Sequence, residues 1–564
     1  MKTKEKTDFL LPPVFWGLLF IIYSVVWAGL YLDLPINTDF GWLLTCLERF
    51  MAGGTYTRDF YETNPPLSFL IYLPAYPLYR TVIDNPGAII LLNTALYMGF
   101  SAVLLWRFMK LHNYATPLIY GVFSAFLLAN TWILGSSFGQ KDQIVLIFLL
   151  PYAMLQVSLL AEKAVPGTLR IPSALLGGLA VCIKPHYIVV PALFITARYF
   201  FNRSLPKLIK SPDIIIFVLT GLAYLAFLRI AFPDFMETIL PQVADLYSAD
   251  EPFPVTARLP LALYTGAAIF LALFLAESEG TRRLKITLYT LIGLSLLCIL
   301  PYYAQNKGLM YHAIPFYALG VMAFMVALFG LLYQAAKNAE IAILAPFILV
   351  LLLTFILPYR GMIGYPPGFL SKEEFKNIPY HLTIKEKAWN GIYLDLDLKP
   401  FNLALPHYEK KLRQASRFGQ IWPLIGINGL YSQARTEKDR KEISARMDGF
   451  IDLIVEDIKR YEPSVILIPR YKVDGIGSDE PQKKYYERLL KNENFATAMK
   501  DYELAQTLSF DKGLYDRGAY AKHKEIPFTT DIFIRKKDNG ANSSESPISP
   551  EEGKQLKPQE TDHE

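Results

Sequence analysis

The stretch LLPPVFWGLLFIIYSVVWAGLYL at residues 10–32 contains no Asp, Glu, Lys or Arg. A helix needs roughly 20 apolar residues to cross a hydrocarbon core, because its backbone polar groups must be satisfied within the segment. The stretch therefore predicts a membrane-spanning helix. Eight further runs lack these four residue types in the same way: 86–106, 116–134, 144–161, 214–228, 259–276, 286–305, 309–336 and 341–359.

Three shorter apolar runs, 66–79, 171–183 and 187–197, are consistent with tilted spans, half-helices or re-entrant pieces buried in protein. The hydrophobic content of 52% averages over this apolar part and a charged part that begins near residue 360. The sequence thus predicts a polytopic α-helical membrane protein with about eleven to thirteen spans. We expect a transmembrane domain over 1–360, a soluble α/β domain over 361–537 and a disordered tail over 538–564.

Basic residues flank several of these runs, and the positive-inside rule places them in the cytoplasm. The N-terminus is then expected to be cytoplasmic, and the 33–65 loop and the C-terminal domain extracytoplasmic. We expect the membrane to be a bacterial inner (plasma) membrane. Arg107 and Lys110 also fall inside if the 66–79 run is irregular or re-entrant. The residues that set this topology are Lys2, Lys4, Lys6, Arg198, Arg203, Lys207, Lys210, Arg282, Arg283, Lys285 and Lys337.

The C-terminal part has the pattern of a mixed α/β fold. Alternating Leu and Asp residues at 394–398 predict a strand, and so do the β-branched run at 464–468 and the segment 530–535. Apolar residues at helical spacing over 441–460 predict an amphipathic helix. Beyond residue 537 the chain has too little apolar content to fold.

Polar residues gather in the loop that follows the first predicted span. It reads NTDFGW at 37–42 and YTRDFYETNPPL at 56–67. Its candidate site residues are Asp39, Arg58, Asp59 and Glu62. A carboxylate beside aromatic rings at a low-dielectric boundary is expected to have a raised pKa, as a general base near neutral pH requires. We therefore predict an active site in this loop.

These features resemble the GT-C membrane glycosyltransferases, a group that includes the protein O-mannosyltransferases and the bacterial aminoarabinose transferase of lipid A. The resemblance covers roughly residues 8–360 and rests on short motifs. They are an acidic residue after the first span and an Asp-Phe-x-Glu-x-x-Pro-Pro-Leu stretch at 59–67. Such enzymes pass a sugar from a polyprenyl-phosphate carrier to an acceptor outside the cytoplasm, with a first-loop carboxylate as base. The resemblance implies this activity here.

The resemblance makes Asp39 the leading candidate for the general base, with Asp59 and Glu62 as further catalytic candidates. Many relatives carry a second acidic residue directly after the first, where this chain has Phe40, so roles assigned to such a pair do not transfer. Asp39 is also consistent with a helix N-cap. Asp59 and Glu62 are also consistent with a local ion pair with Arg58.

Three outer clusters could hold the phosphate of a leaving carrier, because each contains a Lys that can act as a point charge. The alternative is that these lysines snorkel from helix ends to the interface. The candidate binding residues, together with Arg58, are Lys141, Asp142, Lys184, His186, Lys307, Tyr311 and His312. No spacing of the seven His residues predicts a zinc centre, although a divalent cation held by carboxylates and phosphate remains open.

The predicted reaction is a single, inverting displacement that uses a polyprenyl-phosphate sugar and an envelope glycan, lipid or protein as acceptor, as in cell-envelope polysaccharide biosynthesis. A transporter or flippase of a lipid-linked sugar is the main alternative, although such folds usually show repeats and midplane charges. A phosphoethanolamine transferase is disfavoured because His381, His407 and His523 lack metal-ligand spacing. Nothing in the charge pattern indicates nucleic acid binding.

Overall fold

The computed structural model describes twelve stretches of the chain. They are residues 13–131, 134, 137–249, 266, 269–270, 284–305, 310–335, 371–397, 402–419, 421–470, 487–511 and 527–536. The predicted spans at 259–276 and 341–359 fall wholly or mostly outside these residues, so the total number of spans stays a prediction.

The first part of the chain is a bundle of apolar helices. Its α-helices are α1 Pro13–Leu32, α2 Thr38–Met51, α3 Leu67–Leu70, α4 Tyr76–Thr81, α5 Pro86–Leu111, α6 Thr116–Asn130, α7 Lys141–Leu160, α8 Gly167–Ile183, α9 Val189–Asn202, α10 Leu205–Ile209, α11 Pro212–Ala231, α12 Leu240–Ala249, α13 Lys285–Gln305 and α14 Ile314–Ala335. Short helical turns of other types occupy Pro185–Ile188, Phe235–Ile239 and Met310–Ala313.

Among the described residues, five helices are long and apolar enough to cross a membrane: Pro86–Leu111, Lys141–Leu160, Pro212–Ala231, Lys285–Gln305 and Tyr311–Leu331. Shorter apolar helices cover Gly17–Leu32, Thr116–Asn130 and Gly167–Ile183. The prediction of a polytopic helical membrane protein is therefore confirmed. The 66–79 run does not form a spanning helix: it contains only α3 and part of α4. This is the irregular structure considered above for this run. Because the chain does not cross the membrane there, α2 and α5 begin at the same face of the bundle.

The second part contains a five-stranded mixed sheet. Its strands are β1 Ile392–Asp395, β2 Arg413–Gln414, β3 Val465–Arg470, β4 Tyr502–Asp511 and β5 Pro527–Arg535. The sheet has the order β2-β1-β3-β5-β4, with β1 parallel to β2 and β3, and β5 antiparallel to β3 and β4. The helices are α15 Lys372–Lys376, α16 Pro379–Lys387, α17 Leu405–Tyr408, α18 Trp422–Gln433, α19 Glu437–Tyr461 and α20 Glu493–Ala498.

The predicted α/β character of this region is thus confirmed, with two corrections. The strand predicted at 394–398 begins earlier and ends at Asp395, and both Asp395 and Asp397 are buried instead of facing water. The predicted helix is longer than 441–460, because a capping box between Thr436 and Asp439 starts α19 one turn earlier.

The sheet region packs directly on α2 and the first loop. A Cβ atom at Gly41 would lie 2.7 Å from the Leu403 carbonyl oxygen, and one at Gly419 would lie 2.3 Å from the ring of Trp42. Only glycine permits approaches this close. The C-terminal region and the first loop therefore lie on the same face of the helical bundle.

Candidate active site

Asp39 lies in the first turn of α2. The N-cap of this helix is Asn37, whose side-chain oxygen accepts a hydrogen bond of 2.9 Å from the backbone N–H of Asp39. The N-cap interpretation of Asp39 is therefore wrong. Protein surrounds the Asp39 carboxylate, although the residue as a whole keeps a partly exposed face.

The surroundings of Asp39 favour the protonated acid more than water does. Burial raises the pKa of Asp39, and the negative charge of Glu62 raises it further. Lys141, a hydrogen bond from the Tyr311 hydroxyl and Lys184 act in the opposite direction without cancelling the effect of burial. The pKa of Asp39 therefore lies above its ordinary value, which makes its carboxylate a stronger base than a solvated Asp.

Lys184 lies at the break between α8 and the turn that precedes α9. Its Nζ atom is 2.9 Å from Asp142 Oδ1 and 3.1 Å from Gln305 Oε1, and it lies 5.8 Å from the centre of the Tyr311 ring. The residue is only 4% exposed. Snorkelling is therefore the wrong interpretation of Lys184, and the carboxylate of Asp142 neutralises most of its charge.

Lys141 is the first residue of α7 and is also only 4% exposed. Within the part of the chain that the structure describes, its ammonium group makes no hydrogen bond and no ion pair. It interacts electrostatically with Asp39 and with Lys184. A buried ammonium group without a direct hydrogen bond or ion pair is costly, so Lys141 is the better of the two described lysines for binding an anionic group.

Glu62 holds the loop against α2. Its Oε2 atom accepts a hydrogen bond of 2.7 Å from the indole N–H of Trp42, and its Oε1 atom accepts one of 2.7 Å from the backbone N–H of Asn64. The side chains of Thr63 and Asn64 also donate to Oε1. With these bonds in place, Glu62 orients Trp42 and hence the helix that carries Asp39. The ion pair with Arg58 considered from the sequence does not involve Glu62.

Asp59 pairs with arginines instead of with the groups around Asp39. Its carboxylate is 2.7 Å from Arg460 of α19 and 3.1 Å from Arg58, and it accepts a hydrogen bond of 2.8 Å from Thr55 N–H. Burial alone would raise the pKa of Asp59, but the hydrogen bonds from Thr55, Arg460 and Arg58 outweigh it and leave this pKa lowered. A lowered pKa suits an ion pair better than a general base.

The other predicted binding residues have mixed positions. His312 is buried and its ring centre lies 4.3 Å from that of Tyr311, whereas His186 is exposed beside the Lys184 pair. Arg58 is mostly exposed. Lys307 lies outside the described residues. No group of three or more His, Cys, Asp and Glu side chains is arranged to hold a metal ion among the residues described.

Arg49 was not singled out from the sequence, yet it links the two parts of the protein. From α2 it donates hydrogen bonds to the carbonyl oxygens of Asp59, Ser416 and Gln414, and its guanidinium group lies 5.7 Å from the Trp42 ring centre. An Arg on an amphipathic helix usually indicates a solvated face. Its spacing of seven residues from Trp42, which places both on one side of α2, was the only available signal.

No family model and no curated protein matches this chain. Among solved structures, the chain is similar to the crystal structure of ArnT from Cupriavidus metallidurans bound to undecaprenyl phosphate. Its identity is 12%, its TM-score is 0.48, and the match covers 92% of this chain and 98% of that chain. The apo structure of ArnT gives 11% identity and a TM-score of 0.38 over the same shares. ArnT is a lipid A aminoarabinose transferase, a group that the first loop resembles. Matches with such low sequence identity and TM-scores assign no role to any residue of this chain.

Proposed function

We propose that this protein is a membrane glycosyltransferase that moves a sugar from a polyprenyl-phosphate carrier to an acceptor at the face of the first loop. The observation that carries the proposal is the placement of Asp39 in the first turn of α2, where its carboxylate has a raised pKa and interacts electrostatically with the ammonium group of Lys141. A base and an anion-binding group close to each other are what sugar transfer from a phosphate carrier requires.

The proposed step is a single displacement. Asp39 takes the proton from the acceptor hydroxyl while the acceptor oxygen forms a bond with the anomeric carbon. The bond between that carbon and the carrier phosphate breaks, and its electron pair stays on the phosphate oxygen. Lys141 stabilises the negative charge that develops there, so no protonated acid is needed. One displacement inverts the configuration of the anomeric carbon.

The remaining residues have supporting roles in this proposal. The Asp142–Lys184 pair holds α7 against the break after α8, and Tyr311 orients Asp39 through its hydroxyl group. Glu62 and Asp59, which the sequence suggested as alternative bases, position α2 and the C-terminal region respectively. The acceptor is an envelope glycan, lipid or protein that presents a hydroxyl group to this face.

A flippase of the same lipid-linked sugar is the alternative from another class. A flippase needs to release its lipid at both faces, whereas the described groups that could bind an anion beside a base lie at one face of the bundle. This placement favours chemistry over transport. The two functions also differ in their products, because only a transferase cleaves the bond between sugar and phosphate.

The test is the fate of the carrier in proteoliposomes that contain the purified protein, a labelled polyprenyl-phosphate sugar and a fraction of envelope acceptors. We expect free polyprenyl phosphate to accumulate in step with labelled acceptor. The lipid that copurifies with the protein, identified by mass spectrometry, selects the sugar for this assay. Movement of intact donor between leaflets without release of polyprenyl phosphate would overturn the proposal in favour of transport.

A further inference from the structure

The N-terminus of α7 lies beside Asp39, because Lys141 at its first position interacts electrostatically with that carboxylate. The centres of the Phe40 and Tyr72 rings are 4.4 Å apart. The Tyr72 hydroxyl donates a hydrogen bond of 2.8 Å to the carbonyl oxygen of Gly139. Gln140 and Lys141 follow directly. These contacts fix the start of α7 beside the residue that precedes Phe40, which is Asp39.

This helix start has unused hydrogen-bonding capacity. Gln140 occupies the N-cap position but makes no side-chain capping bond. The backbone N–H groups of Gln143 and Ile144 donate to the Gln140 carbonyl oxygen, but those of Lys141 and Asp142 donate to no group in the described part of the chain. Such free N–H groups carry the positive end of the helix dipole and favour an anion.

The side chains at the N-terminus of α7 also indicate a bound ligand, and this evidence is independent of the backbone N–H groups. Gln140 is 1% exposed, and neither its amide nitrogen nor its amide oxygen has a hydrogen-bond partner among the residues that the structure describes. Lys141 is buried and unpaired beside it, as described above. Burying an amide and an ammonium group without partners is unfavourable, so a bound polar group is expected to satisfy them.

The neighbouring charged groups indicate whether the ligand is an anion or a cation. Asp142 contributes a carboxylate at the same helix start, but Lys184 pairs with it at 2.9 Å, so this pair is close to neutral. The ammonium group of Lys141 and the backbone N–H groups then remain as donors at this helix start, with Asp39 as the carboxylate that interacts electrostatically with Lys141. This arrangement favours an anion with several acceptor oxygens over a sugar hydroxyl or a cation.

We infer that the N-terminus of α7 is the phosphate-binding site for the lipid carrier, with the Gln140 amide and the backbone N–H groups of Lys141 and Asp142 as ligands alongside the Lys141 ammonium group. The inference rests on the proposed function and assigns Gln140 a role in carrier binding. Phosphate bound there lies within reach of Asp39, as a displacement at the anomeric carbon requires.

Binding of a polyprenyl phosphate to the purified full-length protein tests this site, with the polyprenol of equal chain length and inorganic phosphate as parallel probes. Gln140→Glu places a negative charge against the phosphate and should weaken polyprenyl phosphate binding by roughly tenfold or more. Gln140→Met keeps the size without the amide and should cause a smaller loss. Polyprenol binding should stay unchanged in both variants.

The matched control is Lys163→Gln, which removes one positive charge from an exposed residue beyond the other end of α7. It should bind polyprenyl phosphate as the wild type does. Equal binding of polyprenyl phosphate by wild type and Gln140→Glu would overturn the inference, and so would tight binding of inorganic phosphate with no gain from the polyprenyl chain. Binding that depends on Gln140 in a protein that transfers no sugar would uphold this site and refute the proposed function.

Discussion

The two ends of α7 each carry a buried cluster of charged and polar residues, roughly 22 Å apart along the helix. At one end lies the Asp39 cluster, made of Asp39, Gln140, Lys141, Asp142, Lys184 and Tyr311. At the other end lies the Asp213 cluster, made of Gln156, Arg170, Arg198, Ser211 and Asp213. The clusters are similar in burial and composition, but they differ in how far their hydrogen-bonding capacity is used.

In the Asp213 cluster the carboxylate is fully engaged. Arg170 and Ser211 donate to Asp213 Oδ1, and Arg198 and Gln156 donate to Oδ2, at distances between 2.5 and 3.2 Å. Arg198 Nε is the one fully buried side-chain nitrogen or oxygen atom of this cluster without a hydrogen-bond partner among the described residues. Such a cluster braces α7, α8, α9 and α11 against each other. In the Asp39 cluster, by contrast, the side chains of Lys141 and Gln140 make no hydrogen bond within the described stretches, which is typical of a binding site.

The largest difference between the clusters should come from removing the charge of each carboxylate. Asp39→Asn keeps the side-chain size and leaves the N-cap Asn37 in place, so the protein should fold and bind its carrier. If Asp39 is the base, sugar transfer should fall by roughly a hundredfold or more. Single-turnover transfer measured with bound donor checks this. Near-normal transfer would remove Asp39 from the mechanism.

Asp213→Asn should have the opposite effect, on stability and not on chemistry. It leaves two arginines without their counter-ion, and Arg198 is only 5% exposed. A loss of about 3–5 kcal/mol is typical of a broken buried pair. Thermal unfolding in detergent should therefore shift strongly, while transfer per folded molecule stays close to wild type. A stable variant with impaired transfer would contradict the assignment of this cluster as a brace.

Lys184→Gln tests an intermediate case, because Lys184 belongs to the Asp39 cluster but is paired with a carboxylate, as the arginines of the Asp213 cluster are. The variant leaves Asp142 without its counter-charge beside the start of α7. We expect transfer to fall by roughly tenfold, through weaker carrier binding. Combining Lys184→Gln with Asp142→Asn should restore much of that loss, since the near-neutral balance returns. No rescue by the second change would show that Lys184 contacts the carrier directly.

Asp59→Asn should have the smallest effect, because Arg58 and Arg460 are both substantially exposed. Exposed pairs of this kind contribute about 1 kcal/mol or less. Because the pKa of Asp59 is lowered, its contribution is present at neutral pH and is lost as the pH falls through that lowered value. Unfolding of wild type and variant should therefore converge in acid. A large loss of transfer at neutral pH would return Asp59 to the catalytic residues.

The sequence predicted the features that depend on local pattern. Uncharged apolar runs located the described spans, and helical spacing located α19, because both signals follow from neighbouring residues. The strand β4 was not predicted, since its exposed polar residues, such as Glu503 and Gln506, do not form a buried strand pattern. It is held instead by its pairing with β5.

Contacts between distant residues could not be predicted in this way. The role of Lys184 in binding stays a prediction, and its pairing could not be read from the sequence, because its partner Asp142 lies 42 positions away and belongs to another helix. Asp59 was grouped with Asp39 because both lie in one loop, whereas the fold turns Asp59 towards Arg460. The role of Arg49 depends on carbonyl oxygens from the C-terminal region, which no pattern in α2 indicates.

The central claim, that Asp39 is the base, is tested most directly by the acid limb of the pH profile of transfer. Lys141 lowers the pKa of Asp39 and Glu62 raises it. Transfer should decline as the pH falls through the raised pKa of Asp39. In Lys141→Gln this limb should move to higher pH, and in Glu62→Gln it should move to lower pH, whatever the change in maximal rate. An acid limb that stays in place in both variants, or moves in the same direction in both, would show that a group other than Asp39 titrates.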